Sequence, residues 1–201
     1  MSDFILASAS PRRVDLLKQI GMCFIQLPAA IDESRHPQEH PQDYVLRMAG
    51  NKARHVWNLL QSQVRDRDAV LLPVLGADTT VVLSERIFTK PRNKADAVDT
   101  LLALSGRRHQ VLSAVAVCGS EGLQSLLSET WVSFKELSPV QCERYWESGE
   151  PHDKAGAYAI QGLGAVFVKS IQGSYSGVVG LPLVETVELL SRYDITYWNK
   201  P

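Results

Sequence analysis

The sequence has few cysteines and no surplus of charge of either sign. Its three cysteines, Cys23, Cys118 and Cys142, are odd in number and far apart. We therefore expect free, partly buried thiols and a reducing cytoplasm, with neither a disulfide framework nor a zinc site. The 21 lysines and arginines are balanced by 22 aspartates and glutamates, which argues against the broad basic surface that a nucleic-acid-binding protein needs.

Long apolar runs are also missing. The most apolar stretch, residues 69–83, is interrupted by Pro73, Gly76 and Asp78, so it predicts no transmembrane helix. The first residues do not combine a basic segment with an apolar core, and we expect no secretory signal there. Together these features predict a cytoplasmic protein that binds neither a membrane nor nucleic acid.

The common motifs of several enzyme classes do not occur in the sequence. It has no GxxxxGK[ST] phosphate loop, no GxGxxG after a strand, no GxSxG elbow and no HExxH. The five histidines show no zinc-ligand spacing. We therefore look for an active site among polar and charged side chains at positions where such groups are energetically unfavourable unless they bind a ligand.

Apolar residues make up 45% of the chain, and their spacing predicts alternating strands and helices, hence an α/β fold in one domain over residues 1–201. Ser10-Pro11 and Ser138-Pro139 each place a serine N-cap before a proline at the first helical position. The predicted strands are 4–7, 23–27, 70–75, 80–83, 110–117, 124–134 and 165–171, and the predicted helices are 11–20, 43–60, 95–104, 139–148 and 184–193.

Arg12 and Arg13 lie in the first turn of the first predicted helix. The N-terminal end of a helix favours anions, so two cations there are unfavourable unless an anion lies among them. With the hydroxyls of Ser8 and Ser10, this turn predicts a phosphate-binding corner. The alternative is that both arginines face solvent or pair with nearby carboxylates.

Two lysines are further candidates. Lys52 shares the inward stripe of its predicted helix with Ala49 and Val56, so it either extends to the edge of the core or reaches a charged ligand. Lys90, followed by Pro91, is another cation in an irregular segment, for which a surface position is the default.

Asp78 interrupts an otherwise apolar strand within Gly76-Ala-Asp-Thr79. A carboxylate between Leu75 and Val81 is costly to bury unless it is paired, catalytic or bound to a metal. The alternative is an Asx-type turn or bulge, for which glycine and aspartate are common. The apolar flanks favour a functional carboxylate.

Residues 153–162 form a second polar cluster, with Asp153 next to Lys154, several glycines, and then Gln161. Glycine allows close backbone approach, and the glutamine amide can match two adjacent atoms of a nucleobase edge. Taken alone, the segment is equally consistent with a polar connection.

These residues occur together, and in the same order, in one enzyme family. The matching segments are Ser8-Ala-Ser-Pro-Arg12-Arg13, Glu33, Lys52, Gly76-Ala-Asp-Thr79, Lys90-Pro91, Leu104-Ser-Gly106 with His109, 153–162, Gly173-Ser-Tyr and Val179-Gly-Leu-Pro-Leu-Val-Glu-Thr186. The ordered set resembles the Maf family of nucleoside triphosphate pyrophosphatases from about residue 5 to residue 190.

The resemblance implies hydrolysis of the α–β bond of a nucleoside triphosphate with Mg²⁺ or Mn²⁺. Thr79 and Gln161 resemble the residues found in the branch of the family that acts on dTTP and UTP. A sister branch, which acts on 7-methyl-GTP, has Ser-Asp-Gln at the first of these motifs and a glutamate near the second. The implied fold is an elongated α/β structure like that of inosine triphosphate pyrophosphatases, with a twisted mixed sheet flanked by helices and two lobes around a cleft. A homodimer is also implied.

The resemblance and the side-chain chemistry together suggest a role for each candidate. Phosphate oxygens would contact Arg12, Arg13, Lys52 and Lys90, with Ser8 and Ser10 as neutral donors. Glu33 and Asp78 would hold the metal, and Asp78 would also activate water. Asp153 and Lys154 would complete the site, and Gln161 with Thr79 and Arg12 would contact the base.

Two other functions remain open at this point. One is a non-enzymatic nucleotide-binding protein that regulates septum formation, a role historically linked to the family that the sequence resembles. The other is a house-cleaning pyrophosphatase that prefers purine or modified nucleotides.

Overall fold

The computed structural model of the protein describes residues 2–64 and 71–198. Strands and helices are interspersed along the chain, as the apolar spacing predicts, but the first residues of the predicted strand 165–171 belong to a 3-10 helix, Gly162–Phe167. The strands are β1 (Phe4–Leu6), β2 (Phe24–Gln26), β3 (Val74–Leu83), β4 (Arg86–Phe88), β5 (Arg108–Gly119), β6 (Gly122–Phe134) and β7 (Val168–Gln172). The helices are α1 (Pro11–Gln19), α2 (Pro41–Gln63), α3 (Lys94–Leu104), α4 (Pro139–Glu147), α5 (Tyr175–Val179) and α6 (Leu183–Ser191), with 3-10 helices at Glu150–Asp153, Ala155–Ala157 and Gly162–Phe167.

The strands form a seven-stranded mixed sheet in the order β2-β1-β3-β5-β6-β7, with β4 paired to β3. β1 runs parallel to β2 and β3, with Leu6 opposite Leu75, whereas β3–β4 and β6–β7 are antiparallel. The mixed α/β class is therefore confirmed.

The chain divides into two compact units, as the two implied lobes predict. Unit 1 comprises Met1–Asp78, Ser113–Leu127 and Gly180–Pro201, and unit 2 comprises Thr79–Leu112 and Ser128–Val179. The fully buried side chains of unit 1 include Phe4, Leu6, Leu17, Met48, Leu75, Leu189 and Leu190. The core of unit 2 includes Val81, Phe88, Leu101, Leu104, Val132, Phe134, Tyr145, Tyr158 and Phe167.

The sequence predicts two strands, 70–75 and 80–83, with an interruption at Gly76–Thr79. The structure has a single strand there, because β3 is continuous from Val74 to Leu83. The predicted strand from residue 70 begins outside the described residues. Gly76 serves close packing: a Cβ atom there would lie 2.3 Å from the carbonyl oxygen of Ala49 and 2.7 Å from the amide nitrogen of Ala53. Only glycine therefore lets α2 lie this close to β3.

The helix boundaries follow local capping chemistry. Ser138 forms the predicted cap as a capping box with Gln141, whereas within the described residues the Ser10 side chain makes no capping hydrogen bond. α2 begins at Pro41, earlier than predicted, because a proline at the first position needs no amide partner. It ends at Gln63, so it takes in part of the sequence that follows the predicted helix.

The three cysteines are free thiols. Cys118 and Cys142 are buried, and burial raises the pKa of both thiols, whereas Cys23 is exposed, contrary to the expectation.

Within residues 2–64 and 71–198, none of the helices has the length and apolar character needed to cross a membrane.

Candidate active site

The turn between β1 and α1 is organised by a buried serine. The Ser8 hydroxyl oxygen accepts a hydrogen bond from the Ser10 amide at 3.2 Å and another from Arg13 Nη1 at 3.0 Å. Only 5% of Ser8 is exposed. The turn that the sequence predicts to bind phosphate is therefore held in shape by its own side chains, and it leads into the N-terminal end of α1, the end of a helix that favours anions.

Arg13 ties this turn to the rest of unit 1. Its Nε donates to the carbonyl of Gly180 at 2.8 Å, and Nη1 donates to the carbonyl of Ala77 at 2.8 Å. Burial lowers the pKa of the guanidinium, and the negative charge of Asp78 opposes that effect. Arg13 is thus buried against the residue before Asp78, so the alternative of a solvent-facing pair is wrong for Arg13. Arg12 beside it is half-buried.

Lys52 brings two carboxylates together. Its Nζ lies 2.7 Å from Asp78 Oδ1 and 2.6 Å from Glu33 Oε1. The side chains of Lys52 and Asp78 are only 11% and 13% exposed, whereas Glu33 is 50% exposed. The inward stripe of α2 therefore delivers Lys52 to a cluster of charged groups, and the lysine does not simply extend to solvent. We call Glu33, Lys52 and Asp78 the charged triad.

The loop that carries Glu33 is supported by residues for which the motifs gave no signal. Tyr44 Oη donates to the Glu33 carbonyl at 3.0 Å, and Arg47 Nη2 donates to the Ser34 carbonyl at 3.0 Å. Arg47 also pairs with Glu39 at 2.5 Å. Burial, followed by nearby carboxylate charge, raises the pKa of Tyr44 to about 12. Tyr44 and Arg47 are three residues apart on α2, and this spacing is the one sequence feature that could have indicated that they share a face of the helix.

The remaining candidates belong to unit 2. Lys90, Asp153 and Gln161 are exposed, and Thr79 and Lys154 are half-buried. The Lys154 ammonium forms an ion pair with the Asp153 carboxylate.

One backbone hydrogen bond links two of these segments. The Gly156 amide donates to the Thr89 carbonyl at 3.3 Å. It therefore joins the segment containing Asp153 and Lys154 to the residue before Lys90.

Glu33 and Asp78 supply carboxylate oxygens, the type of ligand that a hard divalent cation prefers, and both of them are paired with Lys52. Mg²⁺ is commonly held by one or two carboxylates and completes its coordination with substrate phosphates and water. Glu33 Oε1 and Asp78 Oδ1 contact the same Nζ atom of Lys52, at 2.6 and 2.7 Å, so these two oxygens lie close to each other. Among the described residues no group of three or more histidine, cysteine, aspartate or glutamate side chains could hold a metal ion, so phosphate oxygens would have to complete the set.

Comparison with known proteins extends these observations to the whole chain. The family described as Maf-like protein matches residues 3–193. The dTTP/UTP pyrophosphatase of Pseudoalteromonas atlantica is 49% identical over 193 residues, which cover 96% of this chain and 98% of that protein. The dTTP/UTP pyrophosphatase of Escherichia coli O157:H7 is 48% identical over 194 residues, which cover 96% and 94%.

A solved structure of a nucleoside-triphosphatase / dITP/XTP pyrophosphatase from Mycobacterium abscessus covers 65% of this chain and 73% of its own. It is 16% identical with a TM-score of 0.40, a likeness too remote to support an argument. The family match and the two relatives, in contrast, extend over almost the full length of the sequence. The chain therefore belongs to the Maf family.

Proposed function

We propose that the protein is a nucleoside triphosphate pyrophosphatase that cleaves the α–β phosphoanhydride of dTTP and UTP, giving a monophosphate and pyrophosphate. The observation that carries the proposal is the charged triad, in which one ammonium is held by two carboxylates. The activity named for relatives at 48–49% identity supports the choice of substrate. We further propose that the two units work as one domain, that the enzyme acts in the cytoplasm, and that it is a homodimer.

Cationic side chains would neutralise the triphosphate. Phosphoryl transfer depends on positioning the nucleophile and on neutralising the phosphate oxygens. We assign Arg12, Lys52 and Lys90 to direct phosphate contacts, with the hydroxyls of Ser8 and Ser10 as neutral donors. Arg13 adds positive charge, but its donors to Ser8, Ala77 and Gly180 make it first of all the residue that holds the turn.

Asp78 would act as the general base. Its carboxylate is mostly buried and accepts a hydrogen bond from Lys52, which orients it. The carboxylate takes a proton from the attacking water as the water oxygen bonds to the α-phosphorus, and pyrophosphate leaves with the electron pair of the broken α–β anhydride bond. The ammonium group of Lys52 stabilises the charge that develops on the phosphate oxygens.

Glu33 and Asp78 would hold Mg²⁺ or Mn²⁺. When bound, such an ion neutralises phosphate charge that the lysines and arginines leave uncompensated. Binding of the metal to Asp78 would reduce the basicity of this carboxylate, which is also the proposed general base. Glu33, in contrast, is proposed only to hold the metal. We therefore expect Glu33→Gln to raise the metal concentration required for activity more than it lowers the rate at saturating metal.

Gln161 would recognise the base, together with Thr79 and Arg12, while Asp153 and Lys154 complete the substrate contacts. The edge of uracil or thymine alternates acceptor, donor and acceptor atoms. A glutamine amide carries an acceptor and a donor side by side, so it can match two adjacent atoms of that edge.

The decisive experiment is a panel of nucleoside triphosphates incubated with Mg²⁺, with pyrophosphate as the measured product. The wild type should prefer UTP and dTTP, and Asp78→Asn should abolish turnover while the thermal unfolding curve is retained. Asp99→Asn, an exposed aspartate on α3, is the matched control and should keep full activity. Nucleotide binding without pyrophosphate release would favour the non-enzymatic protein, and a purine maximum would favour the other pyrophosphatase.

A further inference from the structure

Glu150 is an acidic residue outside the motifs, and both of its carboxylate oxygens are engaged by one loop and one tyrosine. Oε1 accepts hydrogen bonds from Tyr145 Oη at 2.7 Å and from the Gly164 amide at 2.9 Å. Oε2 accepts from the Leu163 amide at 2.8 Å. Burial alone would raise the pKa of Glu150, but these donors lower it overall, so the carboxylate remains ionised and its hydrogen bonds are the stronger kind.

Tyr145 extends this contact to the other side of the loop. Its hydroxyl donates to Glu150 and accepts a hydrogen bond from the Ala159 amide at 3.1 Å. The ring is 5% exposed and packs edge-to-face on Phe167 at 4.9 Å. Together the two side chains hold the backbone two residues before Gln161 and two and three residues after it.

The residue after Gln161 is adapted to this contact. Gly162 has a φ of +82°, and a Cβ atom there would lie 2.4 Å from Glu150 Oε2. A side chain at this position would therefore push the carboxylate out of reach of the Leu163 and Gly164 amides. Gln161 itself is exposed, so its amide is accessible while its backbone is held.

We propose that Tyr145 and Glu150 form a clamp that positions Gln161 for recognition of the pyrimidine base. The inference rests on the proposed function. A glycine-containing loop that had to be ordered on binding would cost affinity, and an amide that distinguishes base edges must be held within about 0.5 Å of its productive position. Tyr145 and Glu150 are thus positioning residues that act through Gln161.

The clamp predicts a specific kinetic signature. It does not contain the charged triad, so its loss should weaken binding of the base more than it slows the chemical step. Glu150→Gln replaces one acceptor by a donor that opposes a backbone amide or the tyrosine, and Tyr145→Phe removes the hydroxyl. Glu147→Gln is the matched control, because Glu147 ends α4 with a 64% exposed side chain and pairs with Lys94.

We would measure kcat and KM for UTP and CTP, since cytosine presents a donor where uracil presents an acceptor. Glu150→Gln and Tyr145→Phe should each raise the KM for UTP about tenfold and reduce the preference for UTP over CTP. Their kcat for UTP should stay within about threefold of the wild type. Glu147→Gln should change none of these values.

Amide hydrogen exchange over residues 159–164, measured without nucleotide, tests the clamp separately from the reaction. Exchange should be faster in both clamp variants and unchanged in Glu147→Gln. Faster exchange with an unaltered KM and UTP preference would overturn the inference, as would a fall in kcat at constant KM. If the wild type instead turned over a purine nucleotide, the proposed function would fail, and an unaltered KM for that nucleotide in both variants would overturn the clamp.

Discussion

Gly76 is a position at which a single added methyl group should disrupt the candidate site. Its Cβ would lie 2.3 Å from the Ala49 carbonyl oxygen and 2.7 Å from the Ala53 amide nitrogen. An ordinary carbon–oxygen contact needs about 3.3 Å, so Gly76→Ala must separate α2 from β3 by about 1 Å. Both partners are backbone atoms, and no rotation of a side chain can relieve the contact.

The displacement would act directly on the charged triad. Lys52 precedes Ala53 on α2, and its Nζ is 2.7 Å from Asp78 Oδ1 on β3. A further 1 Å, approximately, takes this pair beyond hydrogen-bonding distance. Overpacking of this kind costs about 1–3 kcal/mol of stability. We therefore expect Gly76→Ala to lower the Tm and also to reduce pyrophosphate release at temperatures where the variant is fully folded.

Gly50→Ala is the control on the same helix. Among the residues that the structure describes, its Cβ would contact only Leu123 Cδ2, at 3.1 Å, which a leucine side chain can accommodate. Alanine also favours the helix over glycine by about 0.5–1 kcal/mol, so this variant should be at least as stable as the wild type and fully active. Thermal unfolding and initial rates with UTP would be recorded for both variants. Wild-type stability and turnover in Gly76→Ala would refute the reasoning that this close contact sets the Lys52–Asp78 pair.

Two further predictions concern unit 2. Gln161→Glu replaces the amide donor by a carboxylate, so the rate with UTP should fall relative to the other triphosphates; an unaltered substrate profile would reject base recognition by Gln161. His109 is fully buried beside Tyr158 Oη at 2.9 Å, and burial lowers its pKa to about 4. Because the unfolded chain binds this proton near pH 6.5, the free energy of unfolding should fall by about 3 kcal/mol between pH 6.5 and 4. The exposed His152→Gln should retain that slope and His109→Gln should flatten it, and equal slopes in urea titrations of both variants would contradict the assignment.

Several features of the site could be predicted from the sequence because they depend on local periodicity. The 3.6-residue period places Lys52 on the inward face of α2 whatever that helix packs against, and the structure confirms its burial. A serine followed by a proline likewise marks a helix start through geometry confined to a few residues. The ordered motifs added what periodicity lacks, because they identify which polar residues belong together.

Other features depend on contacts between segments that are distant in the chain. The continuity of β3 through Gly76 reflects the approach of α2, and no pattern in the strand itself reveals it. The hydrogen bonds of Arg13 to Gly180 and Ala77 span 167 and 64 residues.

The hydrogen bonds of Tyr145 and Glu150 to the loop around Gln161 join residues up to 14 apart in the chain. The segment between them is irregular and shows no hydrophobic periodicity. By itself the sequence determined most of the helices and strands, the family and the residues that carry charge. The partners of those charges depended on the tertiary structure, because a buried side chain is defined by the backbone atoms that packing brings to it.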